Sequence, residues 1–186
     1  MQIKGLKVEV IFLAFLLTIA LVFGGQWLLG RYQVERPLLA SARKVDGVKD
    51  ARLEPVDGRM NLVVTMGPAR DFRASHDRLL ELLDLAYGRD AGKVVVHDNR
   101  TAKLTGALYE MNFALQEGLA TGRFTEMRAA VVKEAHADGL ATPYLWVDAD
   151  RIYLGLKDKN HVLYDVVERK PANTTAVAQE GSDQHA

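Results

Sequence analysis

The hydrophobic positions of this chain fall into three regimes: an unbroken apolar run, a long patterned region, and a polar tail. From Val10 to Gly30, VIFLAFLLTIALVFGGQWLLG, 21 residues carry no formal charge. At about 1.5 Å per helical residue the run spans roughly 30 Å, the hydrocarbon thickness of a bilayer, so it predicts a transmembrane helix over residues 10–30 in contact with membrane lipid. Lys4 and Lys7 stand before it in a short basic head, residues 1–9. Trp27 and Tyr32 fall near the far interface, where amphipathic rings are favoured. A cleaved secretory signal is the competing reading, but only Val22 with Gly24 approaches the small-residue cleavage pattern, and the run stays apolar beyond them through Trp27, Leu28 and Leu29. An uncleaved signal anchor accounts for more of the pattern.

Beyond the run, Pro37 suits a helix start, and Leu38, Leu39, Ala42 and Val45 recur at helical spacing before Gly47 stops them. Val48 to Pro55 and Arg59 to Met66 read as strands. Met60, Leu62, Val64 and Met66 alternate along the second, and Asp57-Gly58 supplies a tight turn between the two. Asp71 is placed to cap a helix whose Phe72, His76, Leu79, Leu80, Leu83 and Tyr87 share a face, with Gly88 at its end. Lys93 to His97 is the next strand. The predicted unit, residues 31–98, is therefore αββαβ: a small sheet with two helices covering one face.

The pattern then changes. Leu104, Leu108, Met111, Leu115 and Leu119 recur in steps of four and three, predicting an amphipathic helix from Thr101 to Ala120. That stripe suits a core-facing helix better than a coiled-coil seam, because it spans only about two heptads. A second helix is expected with Thr125 as its cap, Met127, Ala130, Val131 and Ala135 on one face, and Gly139 at its end. The pair, joined at Thr121-Gly122, forms a helical hairpin. Tyr144 to Val147, Arg151 to Leu156 and Val162 to Val167 follow as a three-stranded antiparallel meander, with turns at Asp148-Ala149-Asp150 and Lys157-Asp158-Lys159-Asn160. Residues 99–170 are thus an ααβββ module, residues 171–186 lack any apolar period and predict a disordered tail, and the fold class is α+β.

At GVKDARLE, with its later VVV strand, the first module resembles the ring-building modules of membrane-anchored subunits in type III secretion and sporulation-channel assemblies. The matching residues are Gly47, Val48, Ala51, Leu53 and Val94 to Val96, within residues 37–98. The resemblance implies a small α+β domain that assembles laterally at a membrane.

Charge and chemistry then narrow the function. The 24 basic and 24 acidic side chains balance, removing the electrostatic footprint of a nucleic-acid binder. Cysteine is absent, which excludes disulfides and thiolate metal sites. Ser75, His76 and Asp77 are the residue types of a hydrolytic triad, but consecutive helical side chains point about 100° apart and cannot form a relay. Asp148 and Asp150 read as hairpin-turn residues rather than cation ligands. His97-Asp98 reads as a strand end followed by a helix cap. None of His76, His97, His136, His161 and His185 has the spacing of a zinc helix, and Gly88 to Lys93 lacks the form of a phosphate loop. No catalytic, cofactor-binding or metal residue is assigned, and no cofactor is expected.

Two function classes remain. The first is a single-pass, membrane-anchored, non-enzymatic envelope subunit that works as an assembly or interaction module, its partners being other membrane proteins or copies of itself. The second is a membrane-tethered enzyme or enzyme regulator with dispersed site residues. Gln26, the strongly polar side chain of the span, could bond a neighbouring helix or meet interfacial water. The basic head favours an extracytoplasmic C-terminal region, whereas Arg31, Arg36, Arg43 and Lys44 pull the other way.

Overall fold

The computed structural model describes residues 12–19 and 31–169. Residues 12–19 are helical, with Phe12, Leu13 and Leu17 exposed. The basic head, the rest of the apolar run and the C-terminal tail lie outside the described residues, and among the described residues no helix is long and apolar enough to cross a membrane. The architecture is α+β with two separate three-stranded sheets. The chain divides into two compact units: one takes the residues up to Thr65 together with Ser75–Val95, and the other takes Met66–Ala74 and the residues from Val96 onward.

In the first unit a single π-helical turn, Arg31–Glu35, leads into α1 (Arg36–Ala42), with Pro37 in its first turn and Leu38 and Ala42 buried. Proline suits this position because the first turn has no intrahelical use for its missing N–H. The Arg43 guanidinium then donates to the Asp50 carboxylate from Nε and Nη2 and to the Ala51 carbonyl, tying the end of the helix to β1 (Val48–Val56). That strand and β2 (Arg59–Met66) are joined by Asp57 and Gly58, both at positive φ, 51° and 75°, the pair of angles a two-residue hairpin turn requires.

Leu62, Val64 and Met66 are buried, as the alternation predicts. Val63, on the opposite face of the same strand, is buried as well. Burial of β2 is therefore two-sided, where the period-2 pattern led us to expect one covered face; a strand buried on both faces reads as a continuous apolar run, here Leu62-Val63-Val64. α2 (Phe72–Tyr87) opens on Asp71, whose Oδ1 accepts from the Ala74 N–H at 3.0 Å, and closes at Gly88, φ 53°. His76, Leu79 and Leu83 are buried along it; Leu80 and Tyr87, expected on the same face, are half-buried. After a 3₁₀ turn, β3 (Ala91–His97) begins two residues earlier than the valine run suggested. Gly92 sits where a Cβ would lie 2.1 Å from Asn61 Oδ1, the oxygen that accepts the Lys93 N–H, so glycine is required there. The sheet order is β1-β2-β3.

The second unit holds α3 (Ala102–Thr121), α4 (Phe124–Ala137), β4 (Tyr144–Val147), β5 (Arg151–Asp158) and β6 (His161–Glu168), the last three forming an antiparallel meander in that order. The leucine stripe is core. Leu104, Met111 and Leu115 are buried against Met127, Val131 and Ala135 of α4 and against Ile152, Leu154, Leu156 and Leu163 of the sheet, while Leu108 and Leu119 pack at the margin. The two helices meet tightly at Gly118, where a Cβ would come within 2.8 Å of the Met127 Cβ. Gly122, at φ 72°, ends α3 with its N–H on the Gly118 carbonyl, and Gly139 ends α4, where Leu140 N–H returns to the Ala135 carbonyl.

Two caps differ from expectation. Thr101, not Asp98, caps α3, its hydroxyl accepting from Leu104 N–H. The residue at the N-cap of α4 is Arg123, without a side-chain cap, so Thr125 lies inside the first turn; Arg123 instead pairs with Glu126 at 3.6 Å. The first sheet-facing residues of the 66–74 segment complete this unit. Phe72 stacks on Tyr164 with centroids 4.2 Å apart and meets Tyr153 edge-on at 6.1 Å, covering the face of the sheet opposite the helices.

Candidate interaction groove

The meander has two edges, and the chain treats them differently. In an antiparallel ladder, alternate residues turn their N–H and C=O groups to one neighbour and the residues between them turn to the other. Along β6, Val162 and Tyr164 face outward, and each is met by a side chain from the 98–101 loop. Asn99 Oδ1 accepts from Val162 N–H and Asp98 Oδ2 from Tyr164 N–H, both at 2.9 Å. Arg100 donates to the Tyr164 carbonyl at 3.3 Å, and Asn99 Nδ2 to the Asn160 carbonyl at 3.1 Å. The Asp98 side chain is 1% exposed and also receives Arg100 through Nε and Nη2, at 2.8 and 2.7 Å. These contacts explain why Asp98 is not a cap: its carboxylate is committed to closing the β6 edge.

Along β4 the register is Tyr144 with Gly155, Leu145 with Leu154, Trp146 with Tyr153 and Val147 with Ile152. Asp148 N–H bonds the Arg151 carbonyl at 3.0 Å, which fixes the parity: Tyr144 and Trp146 turn to β5, and Leu145 and Val147 turn their N–H and C=O groups outward. Among the described residues no strand pairs with that side.

Beside this open edge runs α4. Its core face is Met127, Val131 and Ala135; one step around the helix, Phe124, Arg128, Val132 and His136 recur at intervals of four and form a second stripe. That stripe and β4 bound a groove of about 1000 Å3 whose floor includes Leu145 and Val147. Its charged lining is Arg128 and Lys133, with the imidazole of His136 beside them, and no carboxylate lines it among the described residues. Arg169 lies over the Phe124 ring at 4.7 Å and donates to the Asp148 carbonyl. At the rim, Trp146 is 46% exposed, and Arg73 lies over its ring at 5.1 Å.

The remaining polar clusters in this unit serve the fold. Tyr144 donates to Asp71 Oδ1 at 2.8 Å; burial, with Asp71 beside it, pushes the Tyr144 hydroxyl up to about 12, and the Ala74 N–H followed by this hydroxyl holds the Asp71 carboxyl below its ordinary range. Tyr164 Oη accepts from Ala69 N–H and donates to the Gly67 carbonyl. Both tyrosines line a smaller cavity of about 190 Å3 with Arg70, Phe72, Thr142 and Lys157. Their hydroxyls are occupied in holding the 66–74 segment.

Ser75 and His76 are buried consecutive residues of α2, Ser75 donating to the Asp46 carbonyl at 3.0 Å. Asp148 Oδ1 accepts from Asp150 and Arg151 N–H, as a turn residue does. Among the described residues no group of three or more His, Asp or Glu side chains is placed to hold a metal ion. In the sequence, Thr125 reads only as a cap and His136 only as an isolated histidine, although the four-residue recurrence of Phe124, Arg128, Val132 and His136 is visible there. Comparison with protein-family models, curated proteins and solved structures finds no match to this chain.

Proposed function

We propose that this chain is a single-pass, membrane-anchored, non-enzymatic envelope subunit that acts as an interaction module. The observation that carries the reading is the groove along the open edge of β4, since an unpaired strand edge beside an apolar floor is a surface that protein segments bind. The charge-free run Val10 to Gly30 supplies the anchor, and tethering raises the effective concentration of each module, so that weak contacts suffice for assembly. The likeness of residues 37–98 to ring-building modules supports lateral association with copies of itself or with other membrane proteins.

The test is alkaline carbonate extraction of membranes followed by purification in detergent. The protein is expected in the pellet, with its N-terminus intact, and in a defined complex after solubilisation. A soluble protein with a shortened N-terminus would identify a cleaved signal, and a strict monomer on a crowded lipid surface would remove self-assembly.

A further inference from the structure

We propose that the groove between α4 and β4 binds an extended, acidic peptide segment of a partner protein, which adds to the sheet as a fourth strand alongside Tyr144–Val147. The inference rests on the interaction-module reading and specifies its partner. Three features carry it. The outward N–H and C=O groups of Leu145 and Val147 offer a main-chain ladder to an incoming strand. The opposite edge of the same sheet is covered at Val162 and Tyr164 by Asn99 and Asp98, whereas among the described residues nothing pairs with the edge of β4. The charged side chains lining the groove are all basic, which selects carboxylates over ammonium groups.

Strand geometry sets the chemistry of the segment. The four residues of β4 span about 13 Å, room for a core of four or five paired residues. Side chains of an added strand alternate between its two faces, so every second one enters the groove. An apolar side chain at the centre would rest on Val132, Leu145 and Val147. Acidic side chains two residues to either side would reach Arg128 and Lys133. An antiparallel arrangement continues the existing meander.

The experiment uses the full-length chain in detergent and a fluorescein-labelled probe, Gly-Glu-Thr-Val-Thr-Glu-Gly, which places Glu, Val and Glu on one face. Saturable binding by fluorescence anisotropy is expected, weakened at least tenfold when lysine replaces both glutamates, when the central valine nitrogen is methylated, or in the Arg128→Glu, Lys133→Glu double variant. Val147→Pro should weaken binding by a similar factor, because it removes an outward N–H that the native ladder does not use. The N-methylated probe leaves the protein untouched and decides the matter if the proline variant misfolds.

No binding at millimolar probe, or equal binding of the lysine or N-methyl probe, would overturn the proposal. So would binding that appears only after residues 171–186 are deleted, which would make the tail the occupant, or a dimer abolished by Val147→Pro, which would make it a second copy. If complexes purified from membranes persist in the Val147→Pro variant, the interaction-module reading stands and this assignment of its groove falls.

Discussion

Two glycines on one helix separate propensity from packing. At Gly106 nothing lies within 4 Å of an added Cβ, so Gly106→Ala should stabilise the fold by up to about 1 kcal/mol through backbone entropy alone. At Gly118 the same methyl group would press on the Met127 Cβ and sulfur, at 2.8 and 2.5 Å. Methionine sulfur can move; its Cβ moves only with the helix. Gly118→Ala should therefore cost about 1–2 kcal/mol net in denaturant unfolding, overpacking outweighing the propensity gain. A stabilised Gly118→Ala protein would show that the helices separate freely there. Asp165 offers a contrast in charge. It lies on the helix-packed face of β6, opposite Leu154, and burial raises its carboxyl pKa despite the nearby Arg100. A carboxyl that holds its proton more tightly when folded is neutral in weight below the ordinary carboxylate range and becomes a penalty as pH rises above it. Asp165→Asn should thus raise Tm by about 2–4 °C at pH 7, the gain fading to nothing by about pH 3. A gain that persisted in acid would assign the effect to packing.

At the level of elements, periodicity and turn chemistry carried the description far. The leucine stripe, the Asp57-Gly58 turn, the Asp71 cap and the glycines closing α2, α3 and α4 were legible because each depends on neighbours within a few residues. The caps of α3 and α4 were misread for a physical reason: Asp98 and Thr125 have the right chemistry, but Asp98 is drawn to a strand 66 residues away, and Thr125 lies two residues past the N-cap. The groove was illegible because it joins a stripe on one helix to the parity of a hairpin, and neither is a pattern within one segment. The sealed edge is open to direct measurement. Asn99→Ala removes the acceptor for Val162 N–H and the donor to Asn160, so amide exchange at Val162 should quicken by an order of magnitude while Tyr164, held by Asp98, keeps its protection; stability should fall by about 1 kcal/mol. Equal loss at both amides would mean that the loop acts as one cooperative latch.

For the whole molecule, the proposed anchor makes a topological prediction. A phosphatase fused after Arg169 should be active, reporting an extracytoplasmic C-terminal region; an active cytoplasmic reporter at that site would give Arg31, Arg36 and Arg43 the deciding weight. The division into two units has a further consequence. The sequence suggests a linear boundary near residue 98; by contacts Met66–Ala74 groups with the residues from Val96 onward, although it precedes most of α2 and all of β3. A fragment cut at that linear boundary would leave Tyr153 and Tyr164 without the Phe72 ring that covers them, and Tyr144 without Asp71. Such a fragment should be sticky and poorly soluble when expressed alone, and a synthetic nonapeptide of residues 66–74 supplied in trans should rescue it. A gene divided there could not yield two self-sufficient cassettes, since the first would carry away Met66–Ala74, which the second needs.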